Sequence, residues 1–183
     1  MKDSTFSNLA MVIERNVMVA MRDGIRLATD IYRPRAEPGE EGRSFPVIME
    51  RTPYGKHLDS RTEREPGSTG PMSREEVATY FVAQGYIVVY QDCRGRYGSE
   101  GTFTKYLSEA DDGHDTCAWI VRQPWSNGKI ATKGLSYAAH TQMALASTGA
   151  PGLVAMYVDS GGFSNGYQSG IRQGGAYELK QAA

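Results

Sequence analysis

The stretch ATKGLSYAAHTQMALAS, residues 131–147, sets one serine, Ser136, between a short apolar run and a helix-forming tail. Gly134, Ser136 and Ala138 fit a G-x-S-x-G elbow with alanine in place of the second glycine. In such an elbow the serine sits in strained backbone at a strand-to-helix corner, and small neighbours let the backbones pass closely. The competing reading is a serine whose hydroxyl merely caps the helix. Spacing alone leaves both open. A nucleophilic serine also needs a histidine base, and after such an elbow the chain order is serine, acid, histidine. His57 and His114 precede Ser136, and His140 follows one turn along a helix that leads away from the corner. None of the three is well placed to take the serine proton.

Other residues could do chemistry and have plainer explanations. Asp111, Asp112, His114 and Asp115 are metal-ligand types, but crowding at a helix start is explained more simply by capping and the helix dipole. Cys93 and Cys117 are too few for a disulfide framework and lack a metal-type spacing, so reduced thiols and a cytoplasmic location are expected. Asp92 and Arg94 are expected to pair and hold a loop beside the site, with substrate contact as the second choice. Trp119 and Trp125 are expected as core or loop-anchoring aromatics.

The elements that must position these residues can be read from periodicity. NVMVAMRDGIRLATDIYRP alternates on both sides of Asp23-Gly24 and predicts two antiparallel strands. FPVIMER predicts a buried strand, and residues 52–71, rich in charge, Gly, Pro and Ser, read as a long surface loop. SREEVATYFVAQG opens on Ser73 with Glu76 three residues on, a capping box before a helix that a glycine stops. YIVVYQD reads as a strand buried on both faces. EADDGHDTCAWIVRQP is a second helix, GKIATKG a strand, YAAHTQMALAS a third helix and GLVAMYVD a further strand. This alternation predicts an α/β fold with a mostly parallel sheet, extended at one edge by the antiparallel N-terminal pair. After Asp159 the chain turns glycine-rich, with little to bury.

With 183 residues the chain suits one domain, and a net charge of -1 supplies no general pull toward nucleic acid or anionic membrane. The first twenty residues lack the apolar core and cleavage site of a signal peptide, and no later run reaches membrane-spanning length.

Four segments in order, VMVAMRDGIRLATDIYRP, RTPYGK, QDCRGRYGSEG and EADDGHDTCAWIVRQPWSNGKIATKGLSY, resemble successive landmarks of the cocaine esterase and X-Pro dipeptidyl-peptidase family of α/β-hydrolases. The resemblance implies an acyl-transfer enzyme with a serine nucleophile and a G-x-S-Y-x-G motif, onto which Gly134, Ser136 and Tyr137 fall. Ala139 stands where that family usually has glycine. It further implies an oxyanion hole made by the Tyr54 hydroxyl and the Tyr137 backbone amide. Preorganised donors aimed at the developing oxyanion are what such chemistry needs. Asp159 is read as the lead-in to the family's helical cap rather than as the triad acid.

The resemblance spans nearly the whole chain yet matches only the opening part of a typical family member. The expectation is therefore an N-terminal fragment: residues 1–160 as the first part of the catalytic domain, truncated before its last strands, and 161–183 as the start of the cap. An ester, amide or short-peptide substrate is expected, hydrolysed through an acyl-enzyme without cofactor or metal. No nucleic-acid or membrane partner is expected, and a homo-oligomer is allowed for the full-length parent. The isolated chain is expected to be inactive for want of acid and histidine. The alternative from another class is a non-catalytic binding protein on the same scaffold.

Overall fold

The computed structural model describes residues 11–35, 39, 42–64, 67 and 69–161, together with the backbone of 172–173 and 176–177. In chain order the elements are β1 (Met11–Ala20), β2 (Arg26–Pro34), β3 (Phe45–Thr52), β4 (Asp59–Arg64), β5 (Pro71–Ser73), α1 (Arg74–Ala83), β6 (Ile87–Asp92), α2 (Glu109–Ile120), β7 (Ser126–Leu135), α3 (Tyr137–Ala146), β8 (Leu153–Asp159), β9 (Arg172–Gln173) and β10 (Ala176–Tyr177). Six of them form the main sheet in the order β1-β2-β6-β3-β7-β8.

β3, β6, β7 and β8 run parallel, while β2 is antiparallel to both β1 and β6. The N-terminal pair thus extends the sheet at one edge, as its alternation predicts. Its turn is closed by the Met21 amide on the Ile25 carbonyl at 2.8 Å, with Gly24 at a φ of 85° that favours glycine.

All six residues of β6 are buried. Ile87 and Val89 join a core with Val47, Met49, Cys117, Ile120, Ile130 and Leu145 under α2 and α3. Val88 and Tyr90 face the other way, against Ala78 and Val82 of α1. Burial on both faces is why this strand shows an apolar run instead of alternation. Trp119 and Trp125 pack edge-to-face at 5.9 Å beside the first core, the expected anchoring role. At α1 the capping box forms: Ser73 Oγ accepts from the Glu76 amide at 3.2 Å, and Glu76 accepts from the Ser73 amide at 2.9 Å.

Residues 52–71 depart from the surface-loop reading. They contain β4, which pairs with β5 in a small antiparallel sheet, and they bury Thr52, Lys56 and Ser60. Some of its polar side chains are turned inward onto partners, while His57, Asp59, Arg61 and Arg64 remain exposed. Ser60 and Thr62 hydroxyls donate to Glu63, and the Glu63 carboxylate meets the Lys133 ammonium of β7 at 2.5 Å. The glycine-rich stretch beyond Asp159 lies outside the described residues, except for 160–161 and the short backbone pairing of β9 with β10.

Candidate active site

Ser136 joins β7 directly to α3. Its backbone has φ 59° and ψ -115°, an unfavourable combination for a residue with a Cβ. Its side chain makes no capping hydrogen bond to the helix and is exposed. The helix-cap reading is thereby set aside, and the corner has the strained geometry of an elbow. The sequence around it explains how the corner closes. Gly134 has φ 153°, and a Cβ there would lie 2.5 Å from the Ala138 Cβ. Only the pairing of glycine with a small residue four positions on permits that approach. Ala139 is fully buried without displacing the corner, so its departure from the usual glycine is accommodated.

The corner is pinned from outside. The Ser136 amide donates to the Asp159 carbonyl at the end of β8, 3.0 Å away. Beneath it, buried Gln142 reaches three carbonyls with Nε2: Ala138 and Tyr157 at 3.1 Å and Gly134 at 3.3 Å. The Thr132 hydroxyl donates to its Oε1 at 2.9 Å. Gln142 escaped the sequence reading, although a glutamine within an apolar helical run signals a buried polar partner.

Tyr54 arrives from the turn after β3. Its hydroxyl donates to Ser136 Oγ at 3.1 Å and accepts from the Tyr137 amide at 3.3 Å. Three groups from sequence positions 82 and 83 residues apart thus meet at one point. The turn is built to aim this ring. Tyr54 N donates to Thr52 Oγ1, Lys56 N to Asp92 Oδ1 at 2.8 Å, and Arg96 Nε to the Pro53 carbonyl at 3.1 Å. Arg74 Nη1 takes the Gly55, Leu58 and Asp59 carbonyls at 2.7–3.1 Å. The Arg61 guanidinium lies over the Tyr54 ring, 4.0 Å from its centroid.

The Tyr137 side chain points into the molecule. Its hydroxyl donates to Glu109 Oε1 at 2.9 Å and accepts from the Tyr106 amide at 2.8 Å, and the Tyr106 ring stacks on it at 4.9 Å. Burial, with the Glu109 charge adding to it, pushes the Tyr137 phenol far above the ordinary range, so it is a neutral donor. Glu109 in turn meets Arg51 at 3.1 Å. This buried chain was not legible in the sequence, because its members come from β3, α2 and α3.

Asp92 and Arg94 do not form the expected pair. Asp92 accepts the amides of Lys56 and Gly98, while Arg94 pairs with Asp112 at 2.6 Å and Asp23 at 2.6 Å. Both residues still hold loops beside the site, but each with partners distant in sequence. The acidic start of α2 is likewise committed to arginines. Arg22 takes Asp111 and Asp115, each at 2.8 Å, and Asp112 takes Arg94. Ser108, at the helix start, makes no side-chain cap. Among the described residues no cluster of three or more His, Cys, Asp or Glu side chains is arranged to hold a metal ion.

Among the described residues no histidine ring hydrogen-bonds to Ser136 Oγ; the His140 backbone amide donates to the Ser136 carbonyl at 3.2 Å as part of the helix start. His140 packs against the Tyr106 ring at 4.7 Å, and burial, helped by the Lys105 charge, lowers its pKa. His57 packs on Tyr97 at 5.4 Å. His114 lies 3.4 Å from the Arg22 guanidinium. Cys93 and Cys117 are buried free thiols; burial pushes Cys117 up to about 12 and Cys93 well above its ordinary value, so neither is a nucleophile. No helix among the described residues is long and apolar enough to cross a membrane.

The chain is similar to several known hydrolases. The chain is 40% identical over 144 residues to the cocaine esterase of Rhodococcus sp. (strain MB1 Bresler), covering 79% of this chain and 23% of that protein. It is 28% identical over 150 residues to a putative Xaa-Pro dipeptidyl-peptidase of Streptomyces avermitilis, covering 70% of this chain and 22% of the relative. Among solved structures, an α-amino acid ester hydrolase superposes with TM-score 0.71 at 28% identity, over 93% of this chain and 28% of that one. A CocE/NonD family hydrolase from Staphylococcus aureus gives 0.68 at 33% identity, over 80% and 27%. The chain therefore spans about a quarter of the length of the relatives it matches. Residues 23–183 match the family described as X-Pro dipeptidyl-peptidase (S15 family), and the chain belongs to that family of α/β-hydrolases.

Proposed function

We propose that Ser136 is the nucleophile of a serine hydrolase that cleaves esters or amides through an acyl-enzyme, with Tyr54 Oη and the Tyr137 amide as its oxyanion hole. The observation that carries this reading is the meeting of the strained, uncapped Ser136 with those two donors. Ser136 Oγ attacks the substrate carbonyl carbon as its proton passes to a base. The carbonyl oxygen becomes an anion and accepts from the Tyr54 hydroxyl and the Tyr137 N–H. Collapse expels the leaving group, which takes the proton, and water then releases the acyl group by the same steps.

The acid and base are proposed to come from polypeptide outside these 183 residues, because His57, His114 and His140 are all engaged elsewhere. The isolated chain is then expected to show only the residual catalysis of binding and oxyanion hole. Residues 161–183 are proposed to begin a cap over the site, following Asp159. Small esters, amides or short peptides are the proposed substrates; the names borne by relatives, cocaine esterase and Xaa-Pro dipeptidyl-peptidase, support that range.

The test is a fluorophosphonate probe applied to the full-length protein. Labelling at Ser136, lost in Ser136→Ala with an unchanged melting temperature, is the expected result. An unlabelled but folded full-length protein would favour a binding role for the scaffold.

A further inference from the structure

Two guanidinium groups flank the turn that carries Tyr54, and neither meets a carboxylate among the described residues. Arg61, exposed on β4, lies over the Tyr54 ring at 4.0 Å. Arg96 gives Nε to the Pro53 carbonyl and faces the rings of Tyr97 and Phe103 at 5.6 and 5.1 Å. Elsewhere the pattern is different: Arg15, Arg26, Arg33 and Arg51 of the main sheet and Arg74 of α1 each have an acidic partner within 3.5 Å. Two carboxylates near the site have cationic partners, Glu109 with Arg51 and Glu63 with Lys133. Asp159 accepts from the neutral Ser160 hydroxyl and has no cationic partner among the described residues.

From this arrangement we infer that Arg61, supported by Arg96, is a specificity-determining residue that selects substrates carrying a carboxylate or similar anion close to the scissile carbonyl. The inference rests on the serine-hydrolase reading of Ser136. Stacking on an aromatic ring fixes a guanidinium while leaving its edge donors free, and that fork matches a carboxylate in two-point geometry. Arg61 lies over the ring whose hydroxyl is 3.1 Å from Ser136 Oγ, so a group bound by Arg61 is held on the Tyr54 side of the site. The Arg61 charge itself opposes substrates that bring an ammonium group to that position.

The experiment uses the full-length protein and three p-nitrophenyl esters of similar length: butyrate, hemisuccinate and β-alaninate, neutral, anionic and cationic in turn. Fluorophosphonate labelling of Ser136 is measured on the same samples. The parent is expected to prefer hemisuccinate to β-alaninate in kcat/KM. In Arg61→Gln the hemisuccinate-to-butyrate ratio should fall by about two- to fivefold, as loss of one exposed charge pair implies, and in Arg61→Glu the preference should turn toward β-alaninate. Raising the salt concentration should shrink the parent's preference. If Ser136 is labelled and the ratio is the same in Arg61→Gln as in the parent, the assignment of Arg61 is wrong while the hydrolase reading stands. If Ser136 is not labelled in a folded sample, both fall.

Discussion

Tyr54 and Ser136 divide the proposed chemistry between a donor and a nucleophile, and each can be removed by deleting few atoms. Tyr54→Phe keeps the ring under Arg61 but deletes the hydroxyl that meets both Ser136 Oγ and the Tyr137 amide. Loss of one oxyanion donor lowers turnover by about 10² to 10³, so kcat in the full-length protein should fall by that factor with KM little changed. Survival of turnover within a few-fold would make Tyr54 a packing residue. Ser136 bears backbone strain as well as chemistry. At φ 59° and ψ -115° a side chain costs of order 1–3 kcal/mol. Ser136→Gly should therefore be more stable than Ser136→Ala by about 1 kcal/mol in urea titration. Equal midpoints would mean that the corner is not strained.

The strand–corner–helix unit of β7 and α3 holds that strain because its contacts leave no alternative. Gly134→Ala would drive a Cβ to 2.5 Å from the Ala138 Cβ, against buried backbone that cannot yield. Overpacking of this kind costs about 1–3 kcal/mol, and the corner should open enough to lose fluorophosphonate labelling. Labelling at the parent rate would show that the corner tolerates a larger residue. The Lys133–Glu63 contact ties β7 to β4 and makes a pH-dependent link. Burial alone would raise the Glu63 pKa, but the Lys133 ammonium and the Ser60 and Thr62 hydroxyls outweigh it and hold the carboxyl at about 2, below its ordinary 4.5. A lowered folded-state pKa contributes stability that is complete above about 4.5 and lost as pH falls toward about 2. Glu63→Gln should flatten the stability profile in that window and leave the slope above pH 5 unaltered. An unchanged acid limb would show that the pair does not titrate with folding.

The main sheet ends at β1 on one side and at β8 on the other. β6 lies inside it with every residue buried, whereas β8 is the last strand, and Val154, Met156 and Tyr157 are 65%, 38% and 66% exposed. A groove of about 420 Å³ beside it is lined by Ile48 and Phe81 as well as Tyr157. An apolar edge strand with free hydrogen-bonding groups templates association between copies. The 183-residue chain alone should therefore self-associate with rising concentration, and Tyr157→Lys should suppress this in sedimentation velocity. A sharp monomer peak at all concentrations would contradict the role given to that edge.

Much of this architecture was legible in the chain because it depends on neighbours in sequence. The hairpin at Asp23-Gly24, the capping box of Ser73 and Glu76, and the apolar run of β6 each follow from local spacing. The spacing of the elbow was legible for the same reason, since the close approach of Gly134 and Ala138 is local, whereas its pinning by Asp159 of β8 was not. Whether Ser136 capped the helix was not, because that turned on a side-chain direction set by Tyr54 from another strand. The pairing of polar residues was hidden more deeply. Asp92 and Arg94 are two positions apart yet find partners elsewhere, and within the charged segment 52–71 Glu63 meets Lys133 while the carbonyls of Leu58 and Asp59 meet Arg74. Hydrophobic periodicity reports which face is buried, whereas a buried charge is satisfied by whichever opposite charge the folded sheet brings within reach. That choice is made between strands, so only the tertiary structure decided it.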